Sequence, residues 1–393
     1  MKYNFDEITK RIGTDTYKYA HLKEVCGRED VLPMWVADMD FKTPPFVINA
    51  IQKRLAQDIL GYTCPPASYF ESIANWCASH YSWKISTSDI NYVPGVVCGI
   101  YLAMQAFTNK GDKILIQGPV YHPFRIVPEG NDRVIVWNHL QRNDTSFYMD
   151  LDALRKDIKG CKMMILCNPH NPGGIRWDVD TLKEVAHICH EEGVIVVSDE
   201  IHCDMLLNEQ QHIPFATVSK EASEITITLQ APTKTYNLPG VVCSHAIVTN
   251  PELRDKYFGY IQNSDMDLGN VFAFDCAQVC YSEQGDKWRK QMLQYVQGNI
   301  DYLTEGLAAI TNKIKVIRPE ASFLVFLDCR ELGFKTQEEC TRFFADQCHL
   351  CLNPGEMFGI DGRCYMRMNV GCPRSIIEEA LKLIKEGCKN IEA

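Results

Sequence analysis

The chain has 393 residues, enough for two domains and a substantial hydrophobic core. Hydrophobic residues make up 46% of it and charged residues 23%, which is typical of an ordinary globular protein. The formal net charge of −10 argues against nucleic acid or an anionic membrane as a partner, because both attract basic surfaces.

The first residues, MKYNFDE, lack the apolar centre of a signal peptide. No run approaches the ~20 consecutive apolar residues of a membrane span, so we expect a cytoplasmic protein that does not enter a membrane. In that compartment the 18 cysteines should be reduced thiols that pack as small hydrophobic side chains. Cys348 and Cys351 form a lone C-x-x-C without a second pair, which favours packing over a metal or redox site.

Short apolar runs alternate with helical patterns between about residues 90 and 250. Because the runs are continuously apolar, they predict strands covered on both faces and hence a largely parallel sheet. A helix is predicted at residues 181–190, with Asp178 or Asp180 as its N-cap and Gly193 after its end. The predicted strands are at residues 113–116, 134–137, 163–166, 194–197, 225–229 and 246–248.

The pattern changes after about residue 284. A long helical region leads to apolar runs at residues 314–317 and 322–327. Thr336 and Glu339 have the spacing of a capping box that opens a helix. A strand is predicted at residues 364–370 and an amphipathic helix at residues 375–389. Fewer and less regularly alternating elements indicate a smaller α/β domain.

Three polar residues follow apolar runs of the predicted sheet. Asn171, Asp199 and Lys234 each lie just past the end of a run, where open α/β sheets bind their ligands. A lysine buried there has a lowered pKa and a nucleophilic amine. The alternatives are an ordinary solvated loop lysine and, for Asp199, the N-cap of a following turn. Together the three residues predict one polar cluster.

Five motifs in a fixed order carry a resemblance to a known family. They are WVADMDF at residues 35–41, NPHNP at 168–172, SDEIH at 198–202, APTKTYN at 231–237 and MRMNVGCP at 366–373. The chain resembles the pyridoxal 5′-phosphate (PLP) enzymes of the class I/II aminotransferase superfamily, and within it the branch of cystathionine β-lyases and cysteine-S-conjugate β-lyases. The resemblance implies the α/β fold of PLP-dependent fold type I. It also implies a large domain at residues 50–283, with a mostly parallel seven-stranded sheet, and a discontinuous smaller domain formed by residues 1–49 and 284–393.

The resemblance implies roles for the residues of the polar cluster. Lys234 would bond to the PLP aldehyde and then act as the base at the substrate Cα, and Asp199 would pair with the pyridine nitrogen. Asn171 would donate to the phenolic oxygen of the ring. His202 would lie near the same oxygen or near the acid; a purely structural histidine is the alternative. Arg367 would bind the substrate α-carboxylate through its planar fork of N–H donors.

Other matching residues would hold the ring and the phosphate. Tyr121 would stack on the ring, and it is also a candidate proton donor to the leaving sulfur; the alternative is a core aromatic. The backbone of Val96 and Val97 opens a helix after Pro94 and Gly95, and a helix N-terminus attracts phosphate. The Thr233 hydroxyl would join them. Tyr62 would reach the phosphate from the neighbouring subunit of a homodimer, so that two copies share each active site.

Two positions depart from the pattern of aspartate-type aminotransferases. Val242 stands eight residues after the lysine, where those enzymes carry an arginine for the phosphate. Ala231 stands three residues before the lysine, where they carry a serine. Both departures fit the β-lyase branch.

The predicted function is therefore α,β-elimination from L-cystathionine or L-cysteine S-conjugates, giving pyruvate, ammonia and a thiol, with PLP as cofactor and no metal. An aminotransferase with the same residues is the main alternative. A third hypothesis, from another class, is a regulatory binding protein; the anionic surface permits it, and no motif argues for it.

Overall fold

The fold is described from a computed structural model that covers residues 2–392, the last three by their backbone alone. Within these residues fifteen strands form a sheet of seven, a sheet of four and two pairs. In chain order the strands are β1 (Leu32–Pro33), β2 (Ile90–Val93), β3 (Lys113–Gly118), β4 (Val134–His139), β5 (Gln141–Arg142), β6 (Phe147–Tyr148), β7 (Cys161–Cys167), β8 (Ile195–Asp199), β9 (Thr226–Gln230), β10 (Ser244–Ile247), β11 (Lys315–Ile317), β12 (Leu324–Asp328), β13 (Leu350–Cys351), β14 (Asn353–Pro354) and β15 (Tyr365–Asn369).

Fourteen α-helices occur in the same part of the chain. They are α1 (Tyr17–Ala20), α2 (Leu22–Cys26), α3 (Pro45–Leu55), α4 (Ala67–Tyr81), α5 (Val96–Phe107), α6 (Pro123–Glu129), α7 (Leu151–Asp157), α8 (Val179–Glu191), α9 (Lys220–Ile225), α10 (Pro251–Asn263), α11 (Ala273–Cys280), α12 (Glu283–Ile310), α13 (Gln337–Arg342) and α14 (Arg374–Glu392). None of these helices combines the length and the apolar composition needed to cross a lipid bilayer.

The seven-stranded sheet has the order β2-β10-β9-β8-β7-β3-β4. The five strands β9, β8, β7, β3 and β4 are parallel to one another, whereas β10 is antiparallel to both β2 and β9. The residues of β7, β8 and β9 are almost all buried, as expected for strands covered on both faces. Each of the six predicted runs overlaps one strand of this sheet, which confirms the mostly parallel α/β fold.

Two local features show how well the pattern of residues indicated the elements. The helix predicted at residues 181–190 is the greater part of α8, and Asp178 caps it by accepting a hydrogen bond from the Thr181 N–H (2.8 Å). The edge strand β2 was not predicted, because its four residues include Asn91 and carry no clear period. Pairing with β10, which aligns Val93 with Ser244, holds it in the sheet.

The four-stranded sheet is antiparallel throughout, with the order β11-β12-β15-β14. The predicted capping box is present: the Thr336 hydroxyl accepts from the Glu339 N–H (3.2 Å), and the Glu339 carboxylate accepts from the Thr336 N–H (3.3 Å). The N-terminal part of the chain reaches this region, because β1 pairs with β13. The division into residues 50–283 and residues 1–49 with 284–393 stays a prediction.

The prediction that all cysteines are reduced was wrong for one pair. Cys26 and Cys351 form a disulfide, with their Cα atoms 5.8 Å apart. Cys26 ends α2 and Cys351 ends β13, and the parallel pairing of Leu32 with Leu350 brings these two ends together. Since 325 residues separate the two cysteines, no local pattern could have revealed the pair. Most of the other sixteen cysteines are buried thiols.

Asn299 joins α12 to the chain that follows β15. Its side chain is fully buried, and its Nδ2 donates to the carbonyl oxygens of Val370 (2.9 Å) and Cys372 (2.7 Å). Its Oδ1 accepts from Arg374 Nε (2.8 Å). One buried amide therefore fixes the end of the strand that carries Arg367.

We expect Asn299→Ala to lower the free energy of unfolding by about 2–4 kcal/mol, because two buried carbonyl groups lose their donor. Urea unfolding followed by circular dichroism measures the change. Gln297→Ala is the matched control on the same helix, since Gln297 is half-buried and donates to Asp301; it should cost less than about 1 kcal/mol. Equal losses in the two variants would contradict the assigned role of Asn299.

Candidate active site

A cavity of about 300 Å³ lies where β7, β8 and β9 end. Cys167 ends β7, Asp199 ends β8 and Lys234 follows β9, and all three residues line the cavity together with the first turn of α5. Other cavities in the described chain are larger, with volumes of about 600 to 670 Å³. The polar residues predicted from the sequence converge on the smaller one, which makes it the candidate active site.

Asp199 is a buried acid. Its Oδ1 accepts a hydrogen bond from the Ile201 N–H (3.0 Å). Burial raises the pKa of Asp199 to about 7, and the nearby carboxylate of Glu200 acts in the same direction; the Ile201 N–H and Lys234 oppose it. A further cation facing Asp199 would lower this pKa again and keep the acid ionised at neutral pH.

Glu200, which the sequence analysis did not single out, holds the strand end that carries Asp199. Glu200 is fully buried, and its carboxylate ties β8 to β9 and to the loop beyond β8. The carboxylate accepts four hydrogen bonds of 2.7–3.1 Å, from Ser198 Oγ, the Phe215 N–H, His212 Nε2 and Gln230 Nε2. Strand alternation could have revealed this role, because neighbouring strand residues point to opposite faces. Glu200, the acid next to Asp199, is therefore held by hydrogen-bond donors of its own.

Lys234 lies in the turn after β9 and is half-buried on the cavity wall. Its Nζ donates a hydrogen bond to the carbonyl oxygen of Ala37 (2.7 Å). Burial lowers the pKa of Lys234 to about 8, and the positive charge of Arg367 adds to this effect; Asp38 and Asp199 oppose it. At pH 7 about a tenth of the amine is therefore uncharged, far more than at its ordinary pKa of 10.5, and a nucleophile or a base needs this uncharged form.

Arg367 lies in β15 and is 5% exposed. Its guanidinium donates to Asn171 Oδ1 (3.0 Å) and Asn353 Oδ1 (2.6 Å), and it lies over the ring of Phe358, 4.7 Å from the ring centre. Burial lowers the pKa of Arg367 to about 10. Among the described residues it forms no ion pair, and its Nε has no partner. A buried cation held only by neutral acceptors is well suited to bind a carboxylate.

Tyr121 and His202 complete the wall around these charges. Tyr121 is half-buried, and burial raises the pKa of its hydroxyl. His202 is buried, and burial lowers its pKa to about 3, with Lys234 and Arg367 acting in the same direction. His202 is therefore neutral, and its buried Nδ1 has no partner in the described chain.

One end of the cavity has the features of a phosphate site. Gly95 has φ 99°, a conformation that favours glycine, and it leads into the twelve-residue helix α5. Val96 and Val97 form the first turn of this helix and line the cavity, so its free N–H groups and positive dipole end face that side. Thr233 also lines the cavity and is 6% exposed.

Val242 and Ser244 lie at the same end. A Cβ built on Gly95 would lie 3.9 Å from a methyl group of Val242, so a hydrophobic side chain stands where aspartate-type aminotransferases have an arginine. Val242 has φ 55°, which strains a β-branched residue. Ser244 was not predicted; it lines the cavity because β10 pairs with β2 just before Pro94. Its hydroxyl adds a candidate phosphate donor.

The cavity brings together eight of the ten predicted site residues. They are Val96, Val97, Tyr121, Asn171, Asp199, His202, Thr233 and Lys234. Arg367 is next to them through its bond to Asn171. Tyr62 lies outside the cavity and is 98% exposed. This placement agrees with a residue that acts on a neighbouring subunit, and all ten roles stay predictions.

Comparisons with known proteins identify the family. The family model for aminotransferase class I and II matches residues 29–384. The chain belongs to this family. It is 35% identical to cystathionine beta-lyase PatB of Bacillus subtilis (strain 168), over 97% of this chain and 99% of that protein.

Solved structures give the same result. The PLP-bound C-S lyase from Staphylococcus hominis has a TM-score of 0.91 and 30% identity, covering 98% of each chain. A PLP-bound protein from Clostridium difficile 630, described provisionally as an aminotransferase, has a TM-score of 0.95 and 39% identity. The similarity spans 98% of this chain and the whole of that protein.

The lining of the cavity fits PLP. Lys234 offers an amine to the aldehyde. Asp199 is a buried acid with a raised pKa, and a protonated ring nitrogen beside it would lower that pKa again. His202 offers a neutral ring nitrogen that has no partner among the described residues. The first turn of α5 and the Thr233 hydroxyl offer donors to the phosphate. Each functional group of the cofactor thus has a complementary group in the chain.

We expect the bond between Lys234 and PLP to form faster as the pH rises through about 8 and to level off above it. The free amine is the nucleophile, and burial lowers its pKa from 10.5 to about 8. Mixing PLP with the apoprotein at a series of pH values, followed by stopped-flow absorbance, measures the midpoint. Lys234→Ala, which has no amine, is the control. A midpoint close to 10.5 would show that Lys234 is solvated.

Proposed function

We propose that the protein is a cytoplasmic PLP-dependent carbon–sulfur β-lyase that removes a thiol from L-cystathionine or L-cysteine S-conjugates and releases pyruvate and ammonia. The observation that carries this proposal is the position of the Lys234 amine, which lies on the cavity wall with Asp199 and has its pKa lowered to about 8 by loss of solvation and by the charge of Arg367. The similarity to a cystathionine beta-lyase along nearly the whole chain supports the substrate class.

Arg367 and Lys234 have complementary tasks in this reaction. Arg367 binds the substrate α-carboxylate, and the Asn171 and Asn353 side chains fix the plane of its guanidinium. This anchor orients the Cα–H bond towards the amine of Lys234, which takes the proton. When bound, PLP supplies the electron sink for the electron pair left at Cα, and Asp199 as an anion keeps its ring nitrogen protonated.

Tyr121 is the candidate acid for the leaving sulfur. A phenol keeps its proton at neutral pH, and burial, which raises the pKa of the Tyr121 hydroxyl, does not change this; Tyr121 can therefore give the proton to a departing thiolate. His202 stays neutral and can share a hydrogen bond with the phenolic oxygen of the cofactor. The Oδ1 of Asn171 is engaged by Arg367, which leaves its amide N–H groups for the same oxygen.

An aminotransferase of the same fold is the alternative. It would use the same lysine, acid, asparagine and arginine. The hydrophobic Val242 beside the phosphate end and Ala231 before the lysine favour the lyase, since aspartate-type aminotransferases have an arginine and a serine at these positions.

With PLP bound, the protein should release pyruvate from L-cystathionine without an added 2-oxo acid. Lactate dehydrogenase and NADH convert the pyruvate into a loss of absorbance. Lys234→Ala should lower turnover by about 10²- to 10⁴-fold, because the base at Cα is lost. Lys42→Met, which changes an exposed lysine paired with Glu7, should leave turnover unchanged. Amino-group transfer to an added 2-oxo acid, without pyruvate release, would instead identify an aminotransferase.

We further propose a homodimer in which Tyr62 of one copy completes the phosphate site of the other. Tyr62 is almost fully exposed, and its neighbours Ile59 and Leu60 are 74% and 60% exposed. Backbone pairing of Thr63 with Gly269 places Leu268, also exposed, beside them. A contiguous apolar patch of this kind is typical of a protein–protein interface.

Mixed dimers test the shared site. Tyr62→Ala and Lys234→Ala should each be nearly inactive at limiting PLP. In a mixed dimer one cavity has an intact Lys234 and receives an intact Tyr62, so equal mixing should restore about a quarter of the wild-type activity. The control is a mixture of Lys234→Ala with Asp199→Ala, which should stay inactive because both residues belong to the same cavity. A lack of recovery in the first mixture would refute the contribution across the interface.

A further inference from the structure

The loop at residues 35–41, here called the N-terminal loop, contacts the candidate site through its backbone. Four successive carbonyl oxygens of this loop accept hydrogen bonds from side chains of the site or next to it. In chain order these bonds are Arg367 to Trp35 (3.4 Å), Asn369 to Val36 (2.6 Å), Lys234 to Ala37 (2.7 Å) and Asn369 to Asp38 (2.6 Å). The loop has no regular secondary structure, so other contacts must fix these carbonyl groups.

Two cations and two anions fix the loop. Arg11 forms ion pairs with Asp38 (2.6 Å) and Asp40 (2.8 Å). Lys18 forms ion pairs with the same two acids, at 3.3 and 3.0 Å, and its side chain is only 1% exposed. The backbone oxygen of Lys18 also accepts from the indole N–H of Trp35 (2.9 Å). The ion pairs therefore hold Asp38, the residue directly after Ala37, on two cations.

We propose that Arg11 and Lys18 are positioning residues, which hold the Ala37 carbonyl so that it orients the amine of Lys234 whenever that amine is not bonded to the cofactor. This inference rests on the proposed function, in which Lys234 is the base at Cα. A neutral amine that donates one N–H to a fixed carbonyl loses rotational freedom about its Cε–Nζ bond. Its lone pair is then held in a restricted direction rather than sampling all of them.

The charges around Lys234 agree with this arrangement. Arg367 lowers the pKa of Lys234, whereas Asp38 and Asp199 raise it against the effect of burial. Asp38 is itself paired with Arg11 and Lys18, which hold the pKa of its carboxyl below its usual range although burial opposes them. The network therefore keeps an ionised carboxylate near the amine as well as a fixed acceptor.

A purely structural network would predict a different result. It would only attach the N-terminal segment, and its loss would weaken folding, cofactor binding and proton transfer together. A positioning role predicts a selective loss of proton transfer. L-Alanine separates the two cases, because it has no leaving group at Cβ and reports only binding and exchange of its Cα proton.

The experiment measures exchange of the Cα proton of L-alanine in D₂O by the PLP-loaded enzyme, using proton NMR. Lys18→Met and Arg11→Met should slow the exchange at saturating alanine by about 10- to 100-fold, with alanine and PLP affinities within about threefold of wild type. Arg11→Lys, which keeps a charge at a partly exposed position, should recover most of the rate. Lys42→Met, the same replacement at an exposed lysine next to the loop, should match wild type.

A second measurement does not depend on any amino acid. When PLP recombines with the apoprotein, the first-order step in which Lys234 bonds to bound PLP should slow by a similar factor in the Met variants. Suppose that the wild type exchanges no alanine proton and that Lys234 bonds to PLP more slowly in the Met variants. The first result would refute the proposed function, and the second would still support the positioning role.

Two results would overturn the positioning role. One is exchange and bonding within twofold of wild type in Arg11→Met. The other is a parallel loss of melting temperature, PLP affinity and exchange that Arg11→Lys does not relieve. If Lys18→Met fails to fold, the Arg11 pair decides the question, because Arg11 is closer to solvent.

Discussion

The desolvation of three charged side chains is the constraint on which the candidate site depends. Asp199 and Arg367 are buried and Lys234 is half-buried, and the loss of solvation shifts each pKa towards the neutral form, to about 7, 10 and 8 respectively. Among the described residues none of the three forms an ion pair. An unpaired buried charge is costly, so ligands that bring the opposite charge bind where these side chains lie. The same burial that creates affinity for a ring cation and a carboxylate also leaves the lysine amine reactive.

The surrounding structure keeps these charges separate without neutralising them. Neutral amides, Asn171 and Asn353, hold Arg367 and leave its charge free for a substrate. Glu200 fixes the end of β8 through four donors of its own. The N-terminal loop supplies backbone carbonyls, which orient Lys234 and Arg367 but add no charge. The Arg11 and Lys18 network that fixes the loop is balanced, with two cations facing two anions.

The parallel sheet and most of the cavity wall were predictable from the sequence, because continuous apolar runs mark the strands and polar residues mark their ends. Asp199 and Lys234 were found in this way. Features that depend on contacts between distant segments of the chain could not be predicted from the sequence. Ser244 lines the cavity only because β10 pairs with β2, and Ala37 meets Lys234 across 197 residues of sequence. The disulfide of Cys26 with Cys351 belongs to the same class.

The contact between Ala37 and Lys234 also bears on the choice between elimination and amino transfer. Both reactions begin when the amine removes the Cα proton. Amino transfer then requires the Lys234 amine to move and deliver the proton to a carbon atom of the cofactor. The hydrogen bond to the fixed Ala37 carbonyl oxygen restricts this movement of the amine. Elimination instead requires an acid at the sulfur, and Tyr121 on the cavity wall carries a protonated hydroxyl at neutral pH. A restrained base and a separate acid together favour loss of the thiol.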